Sequence, residues 1–320
     1  MSRPKIYIHA IGPWAERYLD EKNLRLLDDF ADVINDGPLT ATPDDLADRL
    51  RDVNGILSLN GVGAPDITPE IIADCPDLKV AAISHWFHGL HDTAVSAWKE
   101  AGLTVIDSSD GNNFAVAQWS LGAILTGMFR FNELDRAMRS GVEWPDHELT
   151  TEFLDGQRVG IVGLGRIGSL MAGLLSPFNA ELVGYDAYVN AEQAAEMGVR
   201  WMDLDELMAT SDIITFHLPV TDDTARMITR KHIESIPDGV LVVNSARTAI
   251  LDHDAFMEGL IAGRFRAVVD VFEPEPPPLD DPIRSLPNVV MTPHIAGSSI
   301  LMCRVSGRTA INALRSFFAS

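Results

Sequence analysis

In the second half of the chain, each apolar, strand-like run ends in a residue able to do chemistry. Asp212–Phe216 leads into His217-Leu-Pro219, and Val240–Val243 into Asn244-Ser-Ala246-Arg247. Arg266–Val269 leads into Asp270 and on to Glu273 and Glu275, and Asn288–Met291 into Thr292-Pro-His294. Ligands on open parallel sheets bind outside the carboxyl ends of the strands, so Arg247, Asp270, Glu275 and His294 are expected along one edge of one sheet. An arginine fork can clamp a carboxylate and polarise a neighbouring carbonyl. A histidine paired with a carboxylate is favoured in its charged form and can hand on a proton. A salt bridge or strand-end cap would account for any one of the four. Together they are the parts needed to deliver a hydride to a 2-oxo acid: an anchor for its carboxylate and an acid for its carbonyl oxygen.

The donor of that hydride has its own signature upstream. The run Arg158–Val162 is followed by Gly163-Leu-Gly165-Arg166-Ile167-Gly168 and a helical stretch, the strand–turn–helix context that a G-x-G-x-x-G loop requires. Gly163 permits the tight turn, Gly165 lets a pyrophosphate approach the backbone, and Gly168 lets helix and strand pack closely. The helix start then faces the phosphates with N–H groups and a positive dipole. Asp186 closes the next strand, where an acid bonds the ribose hydroxyls of an adenosine. No arginine follows within a dozen residues to receive a 2′-phosphate, so NADH is expected in preference to NADPH.

The elements that must position these residues alternate between strand and helix along the whole chain. Early runs at Lys5–Ala10, Gly55–Leu59, Lys79–Ser84 and Leu103–Asp107 are separated by helix starts such as Thr42-Pro-Asp-Asp and Thr68-Pro-Glu. In these a hydroxyl cap precedes proline and then acids. Repeated βα units imply a parallel sheet covered on both faces. Phe114–Phe131 is expected to be a buried helix between domains, and Ser140–Gly156 a polar, turn-rich segment. Six strands follow, at Arg158–Gly163, Glu181–Asp186, Asp212–His217, Val240–Asn244, Arg266–Val271 and Asn288–Thr292, and then a last helix at Ser298–Phe318. The expected organisation is two doubly wound α/β domains, with residues 114–297 binding the dinucleotide and inserted into a substrate domain made from 1–113 and 298–320.

Composition narrows the remaining classes. The 320 residues carry 46 acidic against 25 basic side chains, a net charge of −21, which repels a phosphate-backbone partner and makes nucleic-acid binding unexpected. An acidic surface and a host with a salty cytoplasm are both compatible with that charge. No apolar run reaches membrane-spanning length, and the start of the chain lacks the apolar stretch of a secretory signal. With only Cys75 and Cys303, a disulfide framework is not expected. A soluble, cytoplasmic protein is the expectation.

On Val159–Gly168, His217–Thr224, Asn244–Asp252, Asp270–Pro276 and Thr292–Gly297, in that order and spacing, the sequence resembles the D-isomer-specific 2-hydroxyacid dehydrogenases over roughly residues 40–318. The resemblance implies a Rossmann NAD domain inserted into a flavodoxin-like substrate domain. It implies that Arg247 anchors the substrate, that Glu275 orients and charges the histidine, and that His294 is the general acid in reduction. It assigns cofactor contact to the glycine loop with Arg166 and Ile167, to Asp186, His217, Pro219, Thr224 and Ala246, to Asp270 as holder of the nicotinamide carboxamide, and to Gly297. Glu275, five residues after Asp270, is the match to the family's glutamate, and Glu273 is expected to be a surface acid. A homodimer through the cofactor domains is implied, with Trp119 or Trp144 near the contact.

The departures concern the substrate. Thr248 stands where the family usually has glycine after the arginine, and could narrow the pocket or add a hydroxyl to it. Ala117-Gln118-Trp119 replaces the family's Ala-Glu-His. After the strand Lys79–Ser84 the usual glycine-rich loop is replaced by His85-Trp86-Phe87-His88-Gly89-Leu90-His91, so His85, Trp86, Phe87 and His88 are expected at the substrate. Asn60 and Gly61, after Gly55–Leu59, are a second candidate contact through backbone amides. Trp144 is a third: it resembles a tryptophan that in some relatives reaches the partner subunit's pocket, and a tryptophan burying its own loop is the alternative reading. No metal is expected, since His85, His88 and His91 would share a face only in a 3₁₀ turn. The reading is an NAD-dependent reductase of a small 2-oxo acid. Phosphite oxidation on the same fold and a non-catalytic NAD sensor are its rivals.

Overall fold

The computed structural model describes residues 3–9, 13–34, 43–59, 66–84, 90–144 and 151–320. The chain divides into two compact units, Met1–Asn112 with Ser298–Ser320, and Asn113–Gly297.

The first unit is built on a five-stranded sheet of β1 (Lys5–His9), β2 (Asp32–Ile34), β3 (Gly55–Ser58), β4 (Val80–Ile83) and β5 (Thr104–Asp107). All pairs are parallel, in the order β2-β1-β3-β4-β5, the flavodoxin-like order that reverses between β1 and β3. The helix Pro69–Ala73 starts as its sequence requires, with the Thr68 hydroxyl accepting the Ile71 N–H at 3.4 Å. Trp98 is fully buried in the core and satisfies its indole N–H on the Ile67 carbonyl at 2.7 Å. The last helix, Ile300–Ala319, is capped by Ser299 and returns to this unit, burying Cys303, Ser306, Ala310, Ile311 and Leu314. A Cβ at its Gly307 would stand 2.6 Å from the Tyr18 carbonyl, so the close approach needs glycine.

The second unit carries seven parallel strands: β6 (Arg158–Val162), β7 (Glu181–Tyr185), β8 (Arg200–Trp201), β9 (Ile213–Phe216), β10 (Leu241–Asn244), β11 (Arg266–Val269) and β12 (Val289–Met291). Their order is β12-β11-β10-β9-β6-β7-β8, which reverses between β6 and β9. That switch point is where a doubly wound sheet opens a crevice for a dinucleotide. Central strands read as continuous apolar runs because helices cover both faces; every residue of β9 and of β10 is buried.

The structure differs from the sequence expectation at three places. The sheet of the second unit has seven strands rather than six, because two-residue β8 is too short to show a pattern, and three-residue β2 escapes for the same reason. The expected helix Phe114–Phe131 is Asp110–Met128, followed by a separate helix, Phe131–Arg139. Its polar first turn hides its start, and Arg130, in the left-handed region at φ 53°, ends the run. Among the described residues no helix is long and apolar enough to cross a membrane.

Candidate active site

The glycine loop joins β6 to the helix Arg166–Leu175. Gly163 turns the chain at φ +96°, and a Cβ on Gly168 would lie only 1.9 Å from the Gly163 carbonyl oxygen. A Cβ at Gly165 meets nothing within 4 Å, and no side chain caps the helix there. The open space in front of Gly165 is therefore bordered by backbone N–H groups at a positive helix end, a cradle for a diphosphate. Asp186, half-buried at the end of β7, accepts the Leu164 N–H at 2.9 Å on Oδ2 and the Tyr188 N–H at 2.8 Å on Oδ1. These bonds tie it to the glycine loop and leave a lone pair on each oxygen for hydroxyl donors.

The segment after β9 forms the facing wall. Thr224 locks it, donating its hydroxyl to the Pro219 carbonyl at 2.6 Å and accepting the Thr221 N–H at 2.8 Å. His217 contributes its backbone, with its carbonyl against the glycine turn, where a Gly163 Cβ would come within 2.8 Å. Its imidazole turns inward to the Thr215 hydroxyl at 3.0 Å, and burial pulls its pKa down to about 3, so the ring is neutral.

Three loops at the ends of β10, β11 and β12 bring the other candidates together. Asn244 is buried at the end of β10; its amide oxygen accepts the Ala246 N–H at 3.0 Å and its NH₂ donates to the Arg247 carbonyl at 3.2 Å. This clasp shapes the turn that presents half-buried Arg247, whose Nη1 donates to the Ala246 carbonyl at 2.6 Å. Burial pulls the guanidinium below its ordinary value while the charge of Glu275 pulls it back. An arginine remains charged at any physiological pH.

His294 Nδ1 stands 2.8 Å from Glu275 Oε2, and Glu275 Oε1 accepts the Phe272 N–H at 2.9 Å. Burial raises the Glu275 carboxyl, but the His294 hydrogen bond, the Phe272 amide and the charges of His294 and Arg247 together hold it below its usual 4.5. A carboxylate depressed in this way contributes stability that is present above the unfolded value and is lost as the pH falls through the lower folded one. Arg247, Glu275 and His294 thus form one electrostatic group. Glu275 fixes Nδ1, so Nε2 is the nitrogen that can exchange a proton with a ligand. His294 itself is held in the left-handed region at φ 53°, a conformation that costs a non-glycine residue roughly 1–2 kcal/mol and is found where surroundings over-determine it.

Asp270 does the over-determining. It is 0% exposed, and its carboxylate accepts the Ile295 N–H at 2.9 Å, the Ala296 N–H at 2.8 Å and the Thr292 hydroxyl. The acid at the end of β11 therefore clamps the loop that carries His294. Sequence reasoning misses this, and misses Asn244, because both act on backbone that only the folded loops bring near. Thr248 is buried and lines a small, partly open pocket with Asn244, His253 and Phe256. Glu273 is exposed, as expected. A cleft of about 540 Å³ lies against the Glu275–His294 pair, lined by Phe272, Arg284 and Met291 among others.

Trp119 packs partly buried against the core of its own unit, whereas Trp144 is 69% exposed. A Cβ added at Gly297 would meet Val116 at an ordinary 3.5 Å. Asn60, Gly61, His85, Trp86, Phe87 and His88 lie outside the described residues. Among the described residues no group of three or more His, Cys, Asp and Glu could hold a metal.

A glycine loop opening a helix, an acid at the end of β7 and an Arg–Glu–His group thus stand along one edge of the seven-stranded sheet. A family model described as the NAD-binding domain of D-isomer-specific 2-hydroxyacid dehydrogenases matches residues 121–296, and the chain belongs to this family. It is 31% identical to a glyoxylate reductase of Thermofilum pendens, over 98% of this chain and 93% of that protein. It is 34% identical to a D-3-phosphoglycerate dehydrogenase of Archaeoglobus fulgidus, over 73% of this chain but only 44% of that protein. Among solved structures, apo D-mandelate dehydrogenase of Rhodotorula graminis superimposes with a TM-score of 0.81 at 25% identity, covering 98% of this chain and 94% of that one.

Proposed function

We propose that this protein is an NAD(H)-dependent reductase of a small 2-oxo acid, with NADH used in preference to NADPH. The observation that carries the reading is the 2.8 Å Glu275–His294 pair within the field of Arg247, on the same sheet edge as the glycine cradle. The residues present fit the dinucleotide: Gly163, Gly165 and Gly168 would hold its diphosphate and Asp186 its adenosine ribose. When bound, the reduced cofactor supplies the hydride.

Arg247 binds the substrate carboxylate and orients the adjoining carbonyl. His294 Nε2 protonates the carbonyl oxygen as the alcohol forms, and Glu275 holds the ring by its Nδ1. Asp270 fixes the His294 loop through three hydrogen bonds, and in that way positions the general acid. Consumption of NADH with glyoxylate, hydroxypyruvate, pyruvate and larger 2-oxo acids tests the reading at low and high salt. Turnover on one or more is expected. None, with NADH binding intact, contradicts it and favours phosphite oxidation or an NAD sensor.

We also infer a homodimer. The helix Phe131–Arg139 buries none of its side chains, and the large apolar side chains Phe131, Val142, Trp144 and Phe153 lie exposed on it and after it. A second copy would cover it and would bring Trp144 toward its partner. Sedimentation should give twice the 35.0 kDa of the chain; a monomer at micromolar concentration contradicts the inference.

A further inference from the structure

The most exposed aromatic side chain of the second unit stands beside Asp186. Tyr188 is 81% exposed, yet it is not loose: its N–H is bonded to Asp186 Oδ1 and its hydroxyl donates to Asp223 Oδ2 at 3.4 Å. Asp223 sits in the turn that Thr221 and Thr224 lock with reciprocal bonds, the Thr224 N–H on the Thr221 hydroxyl at 3.3 Å and the Thr221 N–H on the Thr224 hydroxyl at 2.8 Å. The Tyr188 hydroxyl thus joins the two loops, after β7 and after β9, that border the glycine cradle on either side.

We propose that Tyr188 and Asp223 form the adenosine clamp of this site, Tyr188 as the face on which the adenine stacks and Asp223 as a second carboxylate that turns away a 2′-phosphate. The proposal rests on the reading of the glycine loop and Asp186 as an NAD site. A ribose bonded to Asp186 would bring its base to the neighbourhood of Tyr188, whose N–H shares that carboxylate. A flat, solvent-exposed phenol is what a base stacks on, since each ring then loses water from one face. The 3.4 Å hydrogen bond is long and lies at the surface, so it can open to admit the base and re-form over it at little cost. Asp223 reaches the far end of a side chain whose backbone touches Asp186. The Tyr188 residue therefore joins the two carboxylates, Asp186 at its backbone N–H and Asp223 at its hydroxyl, and their charges act on a ligand there over a screening length of about 10 Å at ordinary ionic strength. A 2′-hydroxyl between them is tolerated, and a dianionic phosphate is repelled by both.

Calorimetric titration of the full chain with ADP-ribose and with reduced nicotinamide mononucleotide tests the clamp, beside steady-state constants for NADH and NADPH. Tyr188→Ala is expected to weaken ADP-ribose and NADH by about tenfold, the size of one base–aromatic stack, and to leave the mononucleotide unchanged. Tyr188→Phe keeps the ring and should stay within about twofold of the parent. Asp223→Asn should narrow the NADH-over-NADPH ratio of kcat/KM by about threefold to fivefold, an effect that fades in high salt. Unchanged ADP-ribose affinity in Tyr188→Ala overturns the stacking face, and an unchanged ratio in Asp223→Asn overturns the charge screen. Loss of mononucleotide affinity in Tyr188→Ala also overturns the clamp, because the damage then is not confined to the adenosine half. If the parent protein binds neither NADH nor ADP-ribose, the NAD reading itself fails and the clamp with it.

Discussion

The two halves of the seven-stranded sheet are each organised around an acid that closes a strand, and they use it in opposite ways. Asp186 is half-buried, takes one backbone N–H on each oxygen and keeps lone pairs toward the crevice. Asp270 is wholly buried and takes three donors from the loop that carries His294. The first acid keeps acceptor capacity on both oxygens, and the second uses its oxygens to hold the loop that carries His294. An aspartate at a strand end in the sequence does not say which of these it will be; the count of internal donors does.

The contrast is sharpest under substitution. Asp270→Ala leaves a hydroxyl and two amides without their acceptor, the Ala296 N–H in a buried position, and is expected to cost about 2–3 kcal/mol of stability along with all turnover. Asp186→Ala should cost under about 1 kcal/mol of stability at its half-exposed site. It should instead weaken NADH by roughly tenfold and narrow the preference over NADPH. Denaturant melts and cofactor titrations of the two variants check this, and equal losses of stability would break the comparison.

A smaller effect separates backbone from side chain on the wall between the two halves. His217, buried and neutral with a pKa near 3 against an ordinary 6.5, binds a proton more readily unfolded than folded. Its contribution to stability is therefore complete above about pH 6.5 and is lost as the pH falls toward 3. Melting temperatures measured from pH 7 to 4 should fall, and His217→Leu should flatten that slope while cofactor affinity changes little. A slope unchanged by the substitution would mean that other groups control the acid side.

Much of this edge is legible in the amino-acid sequence. The glycine loop, Asp186, Arg247, Glu275 and His294 stand at strand ends because their chemistry needs those residue types in open positions, and type and spacing survive in a sequence. What stays hidden depends on the chain folding back. The Asn244 clasp, the three donors on Asp270 and the inward turn of His217 are relations between neighbours that no periodicity records. The first unit shows the same limit. Buried His9 bonds the Ser58 hydroxyl at 3.0 Å at the end of β1, and Ser84 donates to the Leu59 carbonyl at 2.8 Å beside it. In sequence these are single polar letters closing apolar runs, without a partner in view. Strands β2 and β8 go unseen for want of length alone.

The most direct test of the account is His294→Ala, assayed for turnover on the best 2-oxo acid of the parent protein and, on the same sample, for NADH binding. The account predicts that turnover falls by at least about a thousandfold, at the scale of general acid catalysis, while the NADH dissociation constant stays within about threefold of the parent. Turnover within about tenfold of the parent, with NADH still bound, would contradict it and leave the Glu275–His294 pair without the role proposed for it.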